Sequence, residues 1–426
     1  MIMRAFRYRN YRLFFGGQCV SLVGTWMQNI AMSWLVYRLT GSPLLLGVTG
    51  FASQAPSLLL APVTGVAADR FDRRSIIIVT QTLAMLQALA LGLLVMFGHP
   101  QVWQIVSLAA ALGVINAFDM PARQSFVVQL VERREDLANA IALNSSMFNS
   151  ARLIGPSVAG VFIAAFGEGV CFLANAASYL AVIAALLSMR IRPARTPAAK
   201  RGGSFLGGVA YVRGFPPIRY IMLLLAAASL LGMPYAVLMP AYASGVLHGG
   251  PRTLGFLMAF SGAGALAGAL RLAARRNPAG LERAIPLFTA LFGCGLLGFS
   301  FSRWFALSGA FLFLASFGMI SLLASCNTII QTLVDEDKRG RVMSLYSVSF
   351  MGMAPFGSLL AGWAASGLGV RHTMTLNALF VLLAAAAFSS RMKEVSAHAA
   401  PVYTRLGLGG TAAEELGEAE RAGTPV

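Results

Sequence analysis

Apolar residues run in long blocks along this chain, broken by short basic or Gly/Pro-containing stretches. A membrane-crossing helix needs ~20 mostly apolar residues. Twelve runs qualify: 12–37, 44–67, 75–97, 102–128, 138–166, 169–189, 218–246, 253–273, 284–301, 304–333, 342–367 and 371–391. Lipid offers backbone groups no hydrogen-bond partner, so such runs must be helical. The pattern predicts an all-α membrane protein with twelve transmembrane helices. They divide into a six-helix bundle over 1–189, a linker over 190–217 and a second six-helix bundle over 218–392. The tail, 393–426, is rich in Ala, Gly and Glu and is expected to be disordered.

Composition agrees with the pattern. Of 426 residues, 57% are apolar and 12% charged. A soluble domain is about 25% charged, so too few charges remain here to cover a water-facing surface. The net charge is +17. In a soluble chain that would point to nucleic acid, but here the cations cluster between apolar runs, which is the positive-inside pattern of membrane proteins. Four arginines, Arg38, Arg252, Arg303 and Arg371, fall on one side of the predicted membrane, and Arg123 and Arg152 fall inside spans. The rest of the 33 Lys and Arg fall on the other side. This asymmetry places both termini in the cytoplasm. The first span is too long for a signal-peptide core.

The linker is basic (Arg190, Arg192, Arg195, Lys200, Arg201, Arg213), and Ser204 to Tyr211 is predicted to form a short interfacial helix. The halves echo each other. Leu130-Val-Glu-Arg-Arg-Glu-Asp precedes span 5 with its Gly155-Pro156, and Leu333-Val-Asp-Glu-Asp-Lys-Arg precedes span 11 with its Ala354-Pro355. An internal six-helix repeat is a common plan in secondary transporters.

Four groups of residues carry candidate chemistry. The loop between spans 2 and 3 holds Gly65, Asp69, Arg70, Asp72, Arg73 and Arg74. Gly65 permits close helix approach, and Asp69 is suited to face a helix N-terminus or an arginine across the interface between halves. Together with Arg70, Arg73 and Arg74 it forms a predicted conformational latch; an ordinary topology-setting loop is the plainer alternative. Span 5 carries Asn149, Arg152, Gly155, Pro156 and Gly160. Its small residues admit a neighbouring helix, and Pro156 removes a backbone bond. Arg152 near mid-membrane costs at least ~2.5–3.5 kcal/mol, so it should face a polar cavity and have a partner. Span 4 aligns Asn116, Asp119 and Arg123 on one face. Asp119 and Arg123 are spaced either as an intrahelical ion pair or as a titrating carboxylate beside a cation, and Asp119 is the one acid the reading places inside a span. Span 1 aligns Gln18, Ser21, Thr25 and Gln28, with Asn29 beside them. That stripe is expected to line a cavity, with Tyr235 and Tyr242 of span 7 joining it.

The four cysteines stand alone in apolar segments, so neither a metal nor a redox motif is present, and no cofactor is implied. No P-loop, zinc-hydrolase or serine-hydrolase signature occurs either.

Gly65 to Arg74 resembles the loop 2–3 motif of the major facilitator superfamily, with Asp72 where a glycine is usual. Ala151 to Gly160 resembles its antiporter-associated helix 5 motif. Phe14-Phe-Gly-Gly-Gln, Gly24-Thr-Trp-Met-Gln, Trp34-Leu-Val-Tyr-Arg-Leu-Thr-Gly, Asp119-Met-Pro-Ala-Arg-Gln and Ala140-Ile-Ala-Leu-Asn-Ser resemble the enterobactin-exporter-like branch, the transmembrane secretion effectors. The resemblance runs from about residue 5 to 392. It implies two pseudo-symmetric bundles in a bacterial inner membrane and proton-driven export of siderophore- or drug-like amphiphiles. The expected partners are a small molecule, protons and the bilayer, with the chain acting as a monomer. Rival readings are a lipid or lysolipid flippase on the same fold and a non-transporting membrane sensor or scaffold.

Overall fold

The computed structural model describes residues 4–190, 205–275 and 278–407. Every regular element among them is helical. The first bundle holds α1 (Arg9–Thr40), α2 (Pro43–Leu59, continuing as Ala61–Arg70), α3 (Arg73–Phe97), α4 (Val102–Val127), α5 (Arg134–Phe166) and α6 (Glu168–Ser188). The second holds α7 (Pro216–Ala227, then Ala228–Gly232 and Tyr235–Gly245), α8 (Pro251–Ala273), α9 (Ile285–Phe301), α10 (Phe305–Leu333), α11 (Arg339–Met351, then Ala354–Leu368) and α12 (Val370–Ser390). Ten of these twelve segments are long and apolar enough to cross a membrane. The other two are α1, whose polar stripe lowers its hydropathy, and α2, interrupted at Leu60.

Helix breaks follow local chemistry. Asp72 caps α3 by accepting from Ser75 N, 2.9 Å. The first piece of α11 ends at Gly352, just before Pro355, whereas α5 runs unbroken through Pro156. The proline echo between the halves therefore has two outcomes: a break in one bundle, a continuous helix in the other.

Packing repeats between the bundles. α1 lies on α6, α2 on α4, α3 on α4 and on α6; in the second bundle α7 lies on α12, α8 on α10, α9 on α10 and on α12. The bundles meet through two exchanged seams, α5 on α8 and α2 on α11. Both are built on glycine. A Cβ at Gly255 would lie 2.7 Å from Gly160 Cα, and one at Gly262 would lie 2.7 Å from Leu153 Cα. A Cβ at Gly47 would lie 2.5 Å from Ser358 O, and one at Gly362 2.8 Å from Gly47 Cα. These contacts lie from mid-molecule toward the end opposite the termini. Toward the basic end Gly65 and Gly340 make no such approach, since a Cβ on either would meet nothing within 4 Å, and Val63, Val66, Ile141, Phe148, Val348 and Met351 are exposed.

The linker helix, Phe205–Gly214, matches the predicted short helix and docks on α11, where Lys338 Nζ sits 4.8 Å from the Tyr211 ring centre. The linker's Arg192, Arg195, Lys200 and Arg201 lie outside the described residues.

The tail departs from expectation. Met392–Arg405 is a helix that buries Val395, Ala399 and Tyr403 against the second bundle. It is pinned by Tyr403 OH donating to the buried Glu282 carboxylate (3.1 Å) and by Arg405 Nη2 reaching Asp335 (3.4 Å). The low apolar content of the whole tail hid a short amphipathic face; the expectation of disorder beyond residue 407 falls outside the described residues. Burial, then the adjacent Glu282 carboxylate, raises the Tyr403 phenol's pKa. Its contribution is complete below about pH 10, the unfolded value, and fades as pH climbs through the raised one.

Tyr403→Ala should cost about 3–5 kcal/mol of stability in the second bundle. Tyr403→Phe should cost about 1–3 kcal/mol, because it leaves the Glu282 carboxylate without its donor. Unfolding of the purified protein in detergent measures both, and a tail that contributed nothing would show neither loss.

Candidate functional site

The polar face of α1 is consumed inside the first bundle. Gln18, Ser21 and Gln28 are all buried. Gln28 Nε2 donates to Gln87 Oε1 on α3 (2.9 Å) and its Oε1 accepts from Asn175 Nδ2 on α6 (2.6 Å). Gln87 in turn donates to the Leu108 carbonyl of α4, 3.1 Å. Thr25 Oγ1 donates to Ser21 O (2.9 Å) and approaches Tyr179 OH at 3.5 Å. The expectation that this stripe lines a cavity is corrected for Gln18, Ser21 and Gln28. Polar groups in lipid need partners, and here side chains of α3, α4 and α6 supply them: Gln87 and Asn175 for Gln28, and Arg123 for Gln18 Oε1. Asn29 is half-buried.

At the basic end of this network sits Asp119, 1% exposed. Thr80 Oγ1 (2.8 Å) and Gln81 Nε2 (2.9 Å) on α3 donate to its Oδ1. Its Oδ2 is held by Arg123 Nη2, one turn on along α4. Arg123 Nη1 also reaches Gln18 Oε1, 3.2 Å. The i, i+4 pair of the sequence therefore forms despite Pro121. Arg123, not Arg152, is the cation on Asp119. Gln18 Nε2 and Gln81 Oε1 are buried without a hydrogen-bond partner, so two further polar valences face the pair. Asn116 is exposed and does not share the buried face of Asp119.

Arg152 lies where α1, α5 and α8 converge. Its guanidinium is half-buried, 5.9 Å from the Trp26 ring centre, and makes no ion pair among the described residues. A cation over an indole face gains about 0.5–2 kcal/mol, less than a mid-membrane charge costs, so the site holds positive charge in reserve. Gly155 is the point where α5 rests on Trp26, and Gly160 and Pro156 O lie against Gly255 of α8. The small residues of α5 thus serve two faces, one within the bundle and one across the seam. Asn149 donates to Ser145 O of its own helix, 2.9 Å.

Two members of the predicted latch make no close contact among the described residues. A Cβ on Gly65 would meet nothing within 4 Å, and Arg70 is exposed. Arg74 instead holds the end of α6 through Leu186 O (3.0 Å) and Leu187 O (3.2 Å). Arg73 Nε is buried with no hydrogen-bond partner. The Asp69 side chain lies outside the described residues.

Both tyrosines of α7 are corrected as cavity residues, being 2% and 0% exposed. Tyr235 OH closes a triangle with Ser261 and Ser316, at 3.0 and 3.1 Å. Tyr242 OH donates to Phe299 O and to Ser302 O (2.7 Å).

Three buried acids near helix ends escaped the sequence reading, Glu282 among them. Glu168, in the first turn of α6, takes a two-pronged contact from Arg38 (Nε 2.7 Å, Nη2 3.2 Å). Asp136, in the first turn of α5, is held by Arg7 and by Tyr8 OH, 2.8 Å. Thr80, Gln81 and Gln87 were also missed, though seven residues separate Thr80 from Gln87 and so place them on one face of α3.

Removing either member of the Asp119–Arg123 pair has unequal consequences. Arg123→Gln leaves a buried carboxylate without its cation and should cost about 3–5 kcal/mol. Asp119→Asn should cost less, because the Arg123 side chain is 24% exposed and can reach water. Unfolding of the two variants side by side checks the order; equal costs would argue against a tightly held pair.

The transmembrane secretion effector family model matches residues 3–406. The Staphyloferrin A transporter of Staphylococcus aureus is 26% identical over 369 residues, 86% of this chain and 92% of that protein. The Multidrug efflux pump Tap of Mycolicibacterium fortuitum is 25% identical over 387 residues, 87% and 93% of the two chains. Among solved structures, a bacterial homologue of the human lysosomal transporter Spinster superposes with a TM-score of 0.71 at 16% identity, covering 92% of this chain and 98% of that one. Sealed glycine seams, a repeated six-helix plan and a match across nearly the whole chain lead to one assignment: the chain belongs to the transmembrane secretion effector family of major facilitator transporters.

Proposed function

We propose that this protein exports small amphiphilic molecules, siderophore- or drug-like, by proton antiport with alternating access. The observation that carries the reading is the one-sided closure of the two bundles. They are sealed by glycine contacts at one end and parted at the basic end. The lysine and arginine bias supports a cytoplasmic side for the basic end and both termini. This conformation is then the inward-open state, ready to load cargo. Siderophore transport and multidrug efflux in the two relatives support the cargo class.

Arg152, half-buried beside the Trp26 face, would mark the inner end of the cargo path. An aromatic surface beside an unpaired cation suits a cargo with an apolar body and an anionic group. Asp119 is the proposed proton carrier. It is reached through Arg123, which bridges it to Gln18 on α1. Protonation would release Arg123 and loosen the contact between α1 and α4, which couples the proton to the relative position of helices. The Gly65–Arg74 loop would latch the basic end in the opposite, outward-open state; the open space beside Gly65 and the exposure of Arg70 support this. The whole path lies within one chain, so a monomer suffices.

Everted vesicles with an internal pH dye test this reading. Addition of siderophores or cationic dyes should release protons from vesicles carrying the protein, and Asp119→Asn should abolish that release. Arg152→Ala should weaken transport of anionic cargo about tenfold or more, the loss of one charge-assisted contact. Cargo movement with no proton movement would remove Asp119 from the mechanism; movement of lipid alone would make the protein a flippase.

A further inference from the structure

At the end of the molecule away from the termini, three separate segments of the second bundle converge on a pocket of about 330 Å³ lined by Gly245, Val246, Leu247, His248, Arg303 and Arg371. We propose that this pocket is a binding site for a phosphate-class oxyanion, either the phosphodiester of a lipid headgroup or a free phosphate.

Charge is the first argument. Arg303 and Arg371 line the same pocket, yet neither makes an ion pair among the described residues. Arg371 spends its Nε on the Ser300 carbonyl, 3.2 Å, which fixes the guanidinium plane and leaves its two terminal nitrogens unspent. The acid found at this end is Glu168, and Arg38 of the other bundle already holds it. Two guanidiniums sharing a pocket repel each other, and an anion between them relieves that repulsion with charge-assisted bonds. The planar fork of arginine suits phosphate oxygens.

Preorganisation is the second. His248 adopts a left-handed backbone, φ 51°, uncommon outside glycine. The chain is held there by Leu247 N on Tyr242 O (3.2 Å) and Gly249 N on Ala243 O (2.8 Å). The facing wall is held by Tyr242 OH, which takes up the carbonyls of Phe299 and Ser302, and by Ser308 Oγ on Ser302 Oγ, 2.9 Å. Strain kept in place by surrounding bonds is a mark of sites, not of idle loops. The His248 ring, which lines the pocket, carries one N–H in either neutral tautomer.

Depth is the third. Trp304 and Phe301, next to Arg303, are 77% and 62% exposed. Exposed indoles at helix ends settle at the bilayer interface, which is the level of lipid phosphates. This pocket lies outside the cleft between the bundles, and its occupancy is independent of the cargo reading above.

The test uses the full chain and three variants, Arg303→Gln, Arg371→Gln and both together. Native mass spectrometry of detergent-extracted protein reads retained phosphatidylglycerol against phosphatidylcholine, and thermal stability reads added inorganic phosphate. A lipid source predicts preferential retention of phosphatidylglycerol; a soluble source predicts saturable stabilisation by phosphate with no lipid preference. In either arm each arginine removed should weaken binding about tenfold or more. Arg303 is exposed, so Arg303→Gln reads binding with the fold undisturbed. Arg303→Gln binding as tightly as the parent in both arms, or a parent that binds neither probe, overturns the proposal.

Discussion

The structure depends on backbones touching at two seams. Lipid gives apolar helices no reason to prefer one another, so association rests on close packing and on polar contacts. Across the seams the polar contribution is slight: Gln54 Nε2 to Ser358 Oγ at 3.4 Å. What remains is van der Waals contact at Gly47, Gly362, Gly160, Gly255 and Gly262, where any side chain would intrude on the facing backbone. Such an interface has no deep specific lock. It can separate and re-form without unpairing buried charge, which is the property a rocking transporter requires.

Charge is distributed to match. The first bundle holds the buried ionic and amide network running from Asp119 and Arg123 through Gln18, and from Gln28 to Gln87 and Asn175. The second bundle's interior is hydroxyl-based, as at Tyr235, Ser261 and Ser316. Breaking a network of the first kind is expensive, so the Gln28, Gln87 and Asn175 contacts hold α1, α3 and α6 together. The linker helix and the terminal helix both pack on the second bundle, tying both chain segments to that half.

Periodicity and composition made the architecture legible. Twelve apolar runs became twelve segments, and the Leu130–Asp136 and Leu333–Arg339 echo marked the repeat that the packing then displayed. The i, i+4 spacing of Asp119 and Arg123 was legible because helical geometry is local. The destination of the α1 stripe was not. Whether Gln18 and Gln28 meet water or other side chains depends on Gln87, Arg123 and Asn175, which are distant in sequence. Tyr235 and Tyr242 were misplaced for the same reason: a helix carries polar groups on a face, but its neighbours decide what the face sees. The helix at 392–405 was masked by averaging a short amphipathic face with the Gly/Glu-rich residues that follow it.

The central claim is that the glycine seams hold one end shut while the other is open. Spin labels report this directly, on a background without the four native cysteines. One pair, Leu39→Cys with Leu368→Cys, spans the sealed end, and another, Val66→Cys with Val348→Cys, spans the basic end; all four positions are exposed. Adding Gly255→Val should lengthen the first distance and shorten the second, because the seam cannot close over a side chain. Unchanged distances at both ends, or a longer first distance with no change in the second, would contradict a rocking pair of bundles.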